Sequence, residues 1–141
     1  MFELDPKLAS DTWTLGAFDL SLLLMSRDAN YPWFILVPQR PRMREIYQLA
    51  LADRGQLLEE SCRLSEALMD VFSGDKLNIA ALGNQVAQLH VHHIVRYEGD
   101  VAWPGPVWGA APPGDYTEEL RTERVGDLLS VLRGEGFRET G

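Results

Sequence analysis

The sequence predicts an α+β domain built on a mostly antiparallel sheet. Three observations carry that reading. Strand-like runs follow one another directly, residues 18–25 then 31–37, and later 76–82 then 88–97. A long amphipathic stretch is inserted between the two pairs instead of alternating with strands, and a second helical stretch comes near the end.

Residues 18–25 are dense in Leu and Phe, and residues 31–37 are aromatic and β-branched; the turn-like segment 26–30 between them makes the pair a hairpin. Pro38 ends the second strand because it offers no donor to the ladder. Residues 39–44 form a loop with three arginines, Arg40, Arg42 and Arg44, followed by a short helical turn at 45–49. From Asp53, read as an N-cap, Leu57, Leu64, Leu68, Val71 and Phe72 recur at helical spacing, and Gly74 is the expected stop. Residues 76–82 and 88–97 are the third and fourth strands, separated by Gly83-Asn84. Residues 103–114 hold four prolines and three glycines and read as an irregular loop. Thr117 caps a last helix to Leu132, with Glu118 and Glu119 in its first turn. A single domain spans 1–141, its core at about 15–100 and a C-terminal loop and helix at 101–141.

The 141 residues are 45% hydrophobic, enough for one core, and carry a net charge of −8, which repels nucleic acid and anionic lipid. Cys62 stands alone, so neither an internal disulfide nor a Cys-x-x-Cys metal pair is expected, and no apolar run reaches membrane-spanning length. With no leader-like start, the expectation is a cytoplasmic chain without nucleic-acid or membrane partners. Cys62 reads as a small buried helix residue.

All three histidines lie within four residues, at His90, His92 and His93. Strand alternation sends Gln88, His90, His92 and Arg96 to one face and Leu89, Val91, His93 and Val95 to the other, so His93 reads as a core histidine bonded to a backbone carbonyl. His90 and His92 then stand roughly 7 Å apart along the strand, close enough to share one phosphate. Gly83-Asn84-Gln85 upstream can offer backbone N–H groups and amides to an anion, and Asn78 lies on the adjacent strand.

The run Gly83-Asn84-Gln85-Val86-Ala87-Gln88-Leu89-His90-Val91-His92-His93-Ile94-Val95-Arg96 resembles the signature of the histidine triad (HIT) family, Gly-Gln-[Ser/Thr]-φ-x-His-φ-His-φ-His-φ-φ-x-Arg. Only one gapless register fits. In it Gln88 takes the place of the first histidine, His90 the second and His92 the third. The likeness covers about residues 15–100, including Val37-Pro38-Gln39-Arg40 and Lys76-Leu77-Asn78-Ile79, and the Trp103–Trp108 loop resembles a bacterial branch. It implies a homodimer that binds nucleotides, with His90 as nucleophile on the α-phosphorus, His92 bonded to the phosphate, and Gln88, Asn78, Asn84, Gln85 and Arg96 as substrate ligands. No cofactor and no metal is implied.

The departures are chemical. Gln88 cannot act as an acid, and the family's separate upstream histidine would fall at Pro41. Arg40, Arg42, Arg44 or Arg96 could restore some positive charge, although each alone reads first as a solvated arginine. Two other readings stay open: a nucleotide-binding module without turnover, and a His90-x-His92 metal site completed by His93 or Asp100. No P-loop or dinucleotide fingerprint is present. Trp103 and Trp108 read as residues that pin their loop, with base stacking as the alternative.

Overall fold

The computed structural model describes residues 1–140. Asp5 and Pro6 start the first element: the Asp5 carboxylate accepts from Lys7 N at 2.8 Å and Pro6 fills the first turn of α1 (Pro6–Asp11). The sequence reading has no helix here, nor the strand it enters, β1 (Thr12–Phe18). A register shift between Thr14 and Gly16 interrupts the alternation of β1 and hides it from a period-two pattern.

β2 (Ser21–Ser26) and β3 (Trp33–Pro38) are the expected hairpin, pairing Leu22 with Val37 and Leu24 with Ile35. A short 3-10 turn at Ile46–Gln48 leads into α2 (Leu51–Phe72). Two details of α2 differ from expectation. Its N-cap is Ala50, while Asp53 sits in the first turn and holds Arg40 at 2.7 Å, where a carboxylate also meets the positive end of the helix. Its left-handed stop is Ser73, at φ 48°; Gly74 is required for a different reason, since a Cβ there would run into the Val95 side chain.

β4 (Lys76–Ala80) and β5 (Val91–Arg96) form the second antiparallel pair, each shorter than the sequence suggests. α3 (Glu118–Leu132) begins after Thr117, whose hydroxyl accepts from Leu120 N, and a short strand unforeseen in the sequence, β6 (Phe137–Glu139), follows. The six strands make one antiparallel sheet in the order β4-β5-β3-β2-β1-β6. The chain is thus α+β, with one long and one C-terminal helix as expected.

Alternation divides the strands between two layers. Leu23, Met25, Phe34, Leu36 and Val95 pack with Leu64, Leu68, Leu128 and Leu132 of α2 and α3. Leu64 and Leu68, both fully buried, each contribute roughly 2 kcal/mol by removal from water. On the opposite face Leu24, Ile35 and Val37 pack with Leu8 of α1 and Val86, and Ile94 packs with Tyr31 and Val107. That second face is covered by α1 and the Pro/Gly-rich loop, and His92 lies on it, opposite Ile35.

Candidate active site

β5 starts only at Val91, so Gln88 and His90 belong to the segment leading into the strand. The cause is local: Leu89 N bonds Met43 O at 2.9 Å, which ties the approach to the loop after β3 instead of to the sheet. The two histidines nevertheless face the same side, with ring centroids 4.9 Å apart at an interplanar angle of 75°, closer than ideal strand spacing.

His90 Nδ1 donates to the main-chain oxygen of Gln88 at 2.6 Å. A carbonyl can only accept, so Nδ1 holds a proton, and in the tautomer this selects, the lone pair lies on Nε2. Gly83 lies against the Cε1–Nδ1 edge of this ring: a Cβ at that position would stand 2.6 Å from His90 Cε1. Only glycine lets the 83–85 turn come so near.

His92 is held at both nitrogens. Trp33 Nε1 donates to Nδ1 at 3.0 Å, which leaves Nε2–H to donate to Leu82 O at 2.8 Å. Burial pushes its pKa down to about 4; the Leu82 carbonyl opposes that shift and His90 adds to it. The ring is therefore neutral at pH 7. Trp33 and Trp108 meet it edge-on at 5.7 and 5.1 Å.

The histidines open on a cleft of about 400 Å³, with Asn84 and Gln85 at one side, Trp33, Ile35, Val86 and Trp108 as apolar lining, and Lys7, Leu8 and Asp11 of α1 as a further wall. A second, more polar cleft of about 430 Å³ shares Gly83, Asn84, Val86 and His90 and adds Arg44, Gln48 and Gln88. His90 thus borders both. Of the residues marked in the sequence, His90, His92, Asn84 and Gln85 line the first cleft, and Gln88 lines the second beside His90 and Asn84.

Others are placed elsewhere. Arg96 is 1% exposed, and its three nitrogens bond Asp100 through Nε at 2.8 Å and Nη2 at 2.9 Å, and Asn78 through Nη1 at 2.8 Å. The hydrogen bond from Arg96 holds the Asp100 carboxyl below its ordinary pKa. Asn78, Arg96 and Asp100 therefore brace β4, β5 and the loop after β5. Gln88 turns its carboxamide to the N-terminal segment, accepting from Asp5 N at 2.9 Å and donating to Glu3 O at 2.8 Å.

His93 is wholly buried on the helix side, donating from Nδ1 to Val91 O at 3.0 Å and accepting at Nε2 from the Ser61 hydroxyl at 2.7 Å, as a core histidine should. With His93 on the other face and Asp100 held by Arg96, neither completes a metal set with His90 and His92. Among the described residues no group of three or more His, Cys, Asp or Glu is placed to hold a metal ion. Cys62 is exposed, contrary to expectation, because it falls on the solvent side of α2 between the buried Ser61 and Leu64. Arg40 is taken up by Asp53, and only Arg44 of the loop arginines borders a cleft containing His90. Trp103 lies by the Arg96 guanidinium, 5.7 Å from its centroid, while Trp108 both pins its loop and lines the His92 cleft.

Two site features were not singled out in the sequence. Trp33 passed as a strand aromatic, and nothing local marks its bond to His92. The N-terminal wall had a signal, the Asp5-Pro6 helix start.

Residues 8–99 match the model of the HIT domain family. The chain belongs to that family. Its structure is similar to that of a histidine triad protein from Marinobacter aquaeolei, with 52% identity, 94% of this chain and 96% of the other covered, and a TM-score of 0.90. A histidine triad protein from Bradyrhizobium japonicum gives 45% identity, 92% and 96% coverage and a TM-score of 0.90. One from Sinorhizobium meliloti gives 38% identity, the same coverages and 0.89. No curated protein matches the sequence. This HIT protein has the fold of the family's nucleotide-binding hydrolases and transferases, and no helix in the described residues is long and apolar enough to cross a membrane.

Proposed function

We propose that this HIT protein binds a nucleotide conjugate, such as a dinucleoside polyphosphate, and cleaves it at the α-phosphate through a nucleotidyl-His90 intermediate. The observation that carries the reading is the bond from His90 Nδ1 to Gln88 O, which leaves Nε2 as the nitrogen with a lone pair for attack. The Nε2 lone pair forms an N–P bond as the bond from phosphorus to the bridging oxygen breaks, and the leaving phosphate departs as an anion. Water then attacks phosphorus, the P–N bond breaks, the imidazole is regained and the water proton is released.

The turn at Gly83, Asn84 and Gln85 supplies donors beside His90 for the charge on the phosphoryl oxygens. The more apolar cleft, with Trp33, Ile35 and Trp108, suits the nucleoside; the polar one, with Arg44, suits the leaving group. Asn78, Gln88 and Arg96 act in this reading by supporting the frame. His92 reaches a phosphate only by exchanging its bond to Leu82 O for one to the ligand. That prior engagement favours, as second reading, a module that binds nucleotide without turning it over.

We also propose a homodimer and a cytoplasmic location. β4 is an edge strand with exposed Ile79, a ready partner for a second copy of itself, and the single exposed Cys62 suits a reducing compartment.

The test is turnover of diadenosine tetraphosphate by the protein and its His90→Ala variant, with and without chelator. Hydrolysis that survives chelator and vanishes in the variant is expected. Saturable binding without product would support the module instead, and hydrolysis lost to chelator would contradict a metal-free route.

A further inference from the structure

The residue in the place of the first triad histidine lines the polar cleft beside His90, yet its carboxamide is bonded to the N-terminal segment. Both ends of the Gln88 carboxamide are spent on main chain eighty-odd residues away: Oε1 accepts from Asp5 N at 2.9 Å and Nε2 donates to Glu3 O at 2.8 Å. This two-point grip imitates a strand pair and fixes the segment in register as well as in place. A few residues further on, Leu8 is 5% exposed in an apolar seat with Val86 and Ile35, and Lys7 brings to the His90–His92 cleft the sole Lys or Arg of its lining. The region matched by the family model begins at residue 8, so both gripped residues, Glu3 and Asp5, lie outside it.

We propose that Gln88 is a positioning residue whose side chain clasps the N-terminal segment, and that the clasped segment is a substrate-binding wall of the histidine cleft, with Lys7 as its cation toward an anionic ligand. Exchange of histidine for glutamine at this place removes an imidazole from the phosphate site and installs a fastener for the wall. The backbone of the same residue keeps its separate task, since Gln88 O still receives the His90 Nδ1 proton. A change confined to the side chain therefore disturbs the wall without altering the orientation of the nucleophile. Lys7 is free to turn toward a ligand because its bond to Asp11, 3.0 Å long, is solvent-exposed and so weak.

The proposal rests on the nucleotide reading above, and its test separates the two. Steady-state kinetics on diadenosine tetraphosphate and calorimetric binding of adenosine monophosphate are compared for the protein, Gln88→Ala, Leu8→Ala, Lys7→Ala and the Gln88→Ala/Leu8→Ala double variant. Amide hydrogen exchange is followed at residues 5, 7 and 9, with circular dichroism as the control for folding. Gln88→Ala should raise KM and Kd about tenfold, the worth of two ordinary hydrogen bonds, leave kcat within about twofold by the unchanged His90 orientation, and speed exchange at the three amides. Leu8→Ala should act in the same direction, and the double variant should be no worse than the stronger single change, because both release one wall. Lys7→Ala should raise Kd while leaving exchange unchanged.

A fall in kcat at unchanged KM in Gln88→Ala would overturn the proposal, since the carboxamide would then act on the reacting phosphate. So would unchanged exchange, or additive effects of Gln88→Ala and Leu8→Ala. If the wild-type chain binds and turns over no nucleotide, the functional reading falls by itself; exchange alone then judges the clasp, and unchanged exchange in Gln88→Ala overturns it.

Discussion

Trp33 and His92 are joined by a single hydrogen bond, Nε1–H to Nδ1 at 3.0 Å, and that bond decides which nitrogen of His92 carries a proton. An indole can only donate, so Nδ1 must accept and Nε2 must hold the hydrogen that reaches Leu82 O. The Nε2–H of His92 is thereby committed to Leu82 O.

Trp33→Phe removes the indole donor and keeps an aromatic ring. A hydrogen bond to the neutral form of an imidazole opposes its protonation, so its loss should raise the His92 pKa from about 4, by about one unit. Nitrogen-15 NMR of the histidine rings across a pH series reads both the tautomer and the pKa. An unchanged pKa and an unchanged tautomer would show that Leu82 O alone orients the ring.

Acid should destabilise the fold through two histidines. His92 and His93 both have pKa values lowered by burial to about 4 from 6.5, so between those values the unfolded chain binds protons that the folded chain refuses. Stability is complete above pH 6.5 and falls as pH drops toward 4. Between pH 7 and pH 5 each ring should cost roughly 2 kcal/mol, read by urea denaturation at the two pH values. A flat profile over that range would remove both rings from the stability of the folded state.

The brace behind the site is strong enough to show in the same measurement. Asp100→Ala leaves the Arg96 guanidinium, 1% exposed, with only Asn78 as partner. A loss of about 3–5 kcal/mol is expected for breaking a buried pair on one side, against about 1 kcal/mol for Asn78→Ala. Equal effects of the two changes would mean that Asp100 is not the main counter-charge.

Substrate preference follows from the missing acid. A polyphosphate leaves as an anion with little need of a proton, whereas the amine of a phosphoramidate must gain one, and position 88 offers a carboxamide bonded to backbone in place of an imidazole. Specific rates should favour diadenosine tetraphosphate over an adenosine phosphoramidate. The reverse order would mean that another group supplies the proton.

Much of this molecule was legible in its residues, and the misses have causes. α2 and α3 are long and periodic, and β2 and β3 are dense apolar runs on either side of a turn-like segment, so pattern alone finds them. β1 is masked by its shift at Gly16, and α1 and β6 are too short for periodicity to register. The histidine pair was visible because His90 and His92 are two apart, and His93 fell to the core by alternation. The partner of Arg96 was not legible because alternation gives a face and not a partner: it shares a face with His92, yet Asp100, four residues on, takes its charge. The partners of Gln88, Glu3 and Asp5, were hidden in the same way, as they stand more than eighty residues off in sequence.

The most direct measurement on the proposed nucleophile is rapid acid or denaturant quenching of the protein mixed with diadenosine tetraphosphate, followed by mass spectrometry of the peptide holding His90. An adenylyl adduct on His90 Nε2, absent from His90→Ala and lost on standing with water, is the expected result. Turnover with no adduct on any histidine under single-turnover conditions, or an adduct on His92 in place of His90, would contradict the role assigned to the His90 Nε2 lone pair.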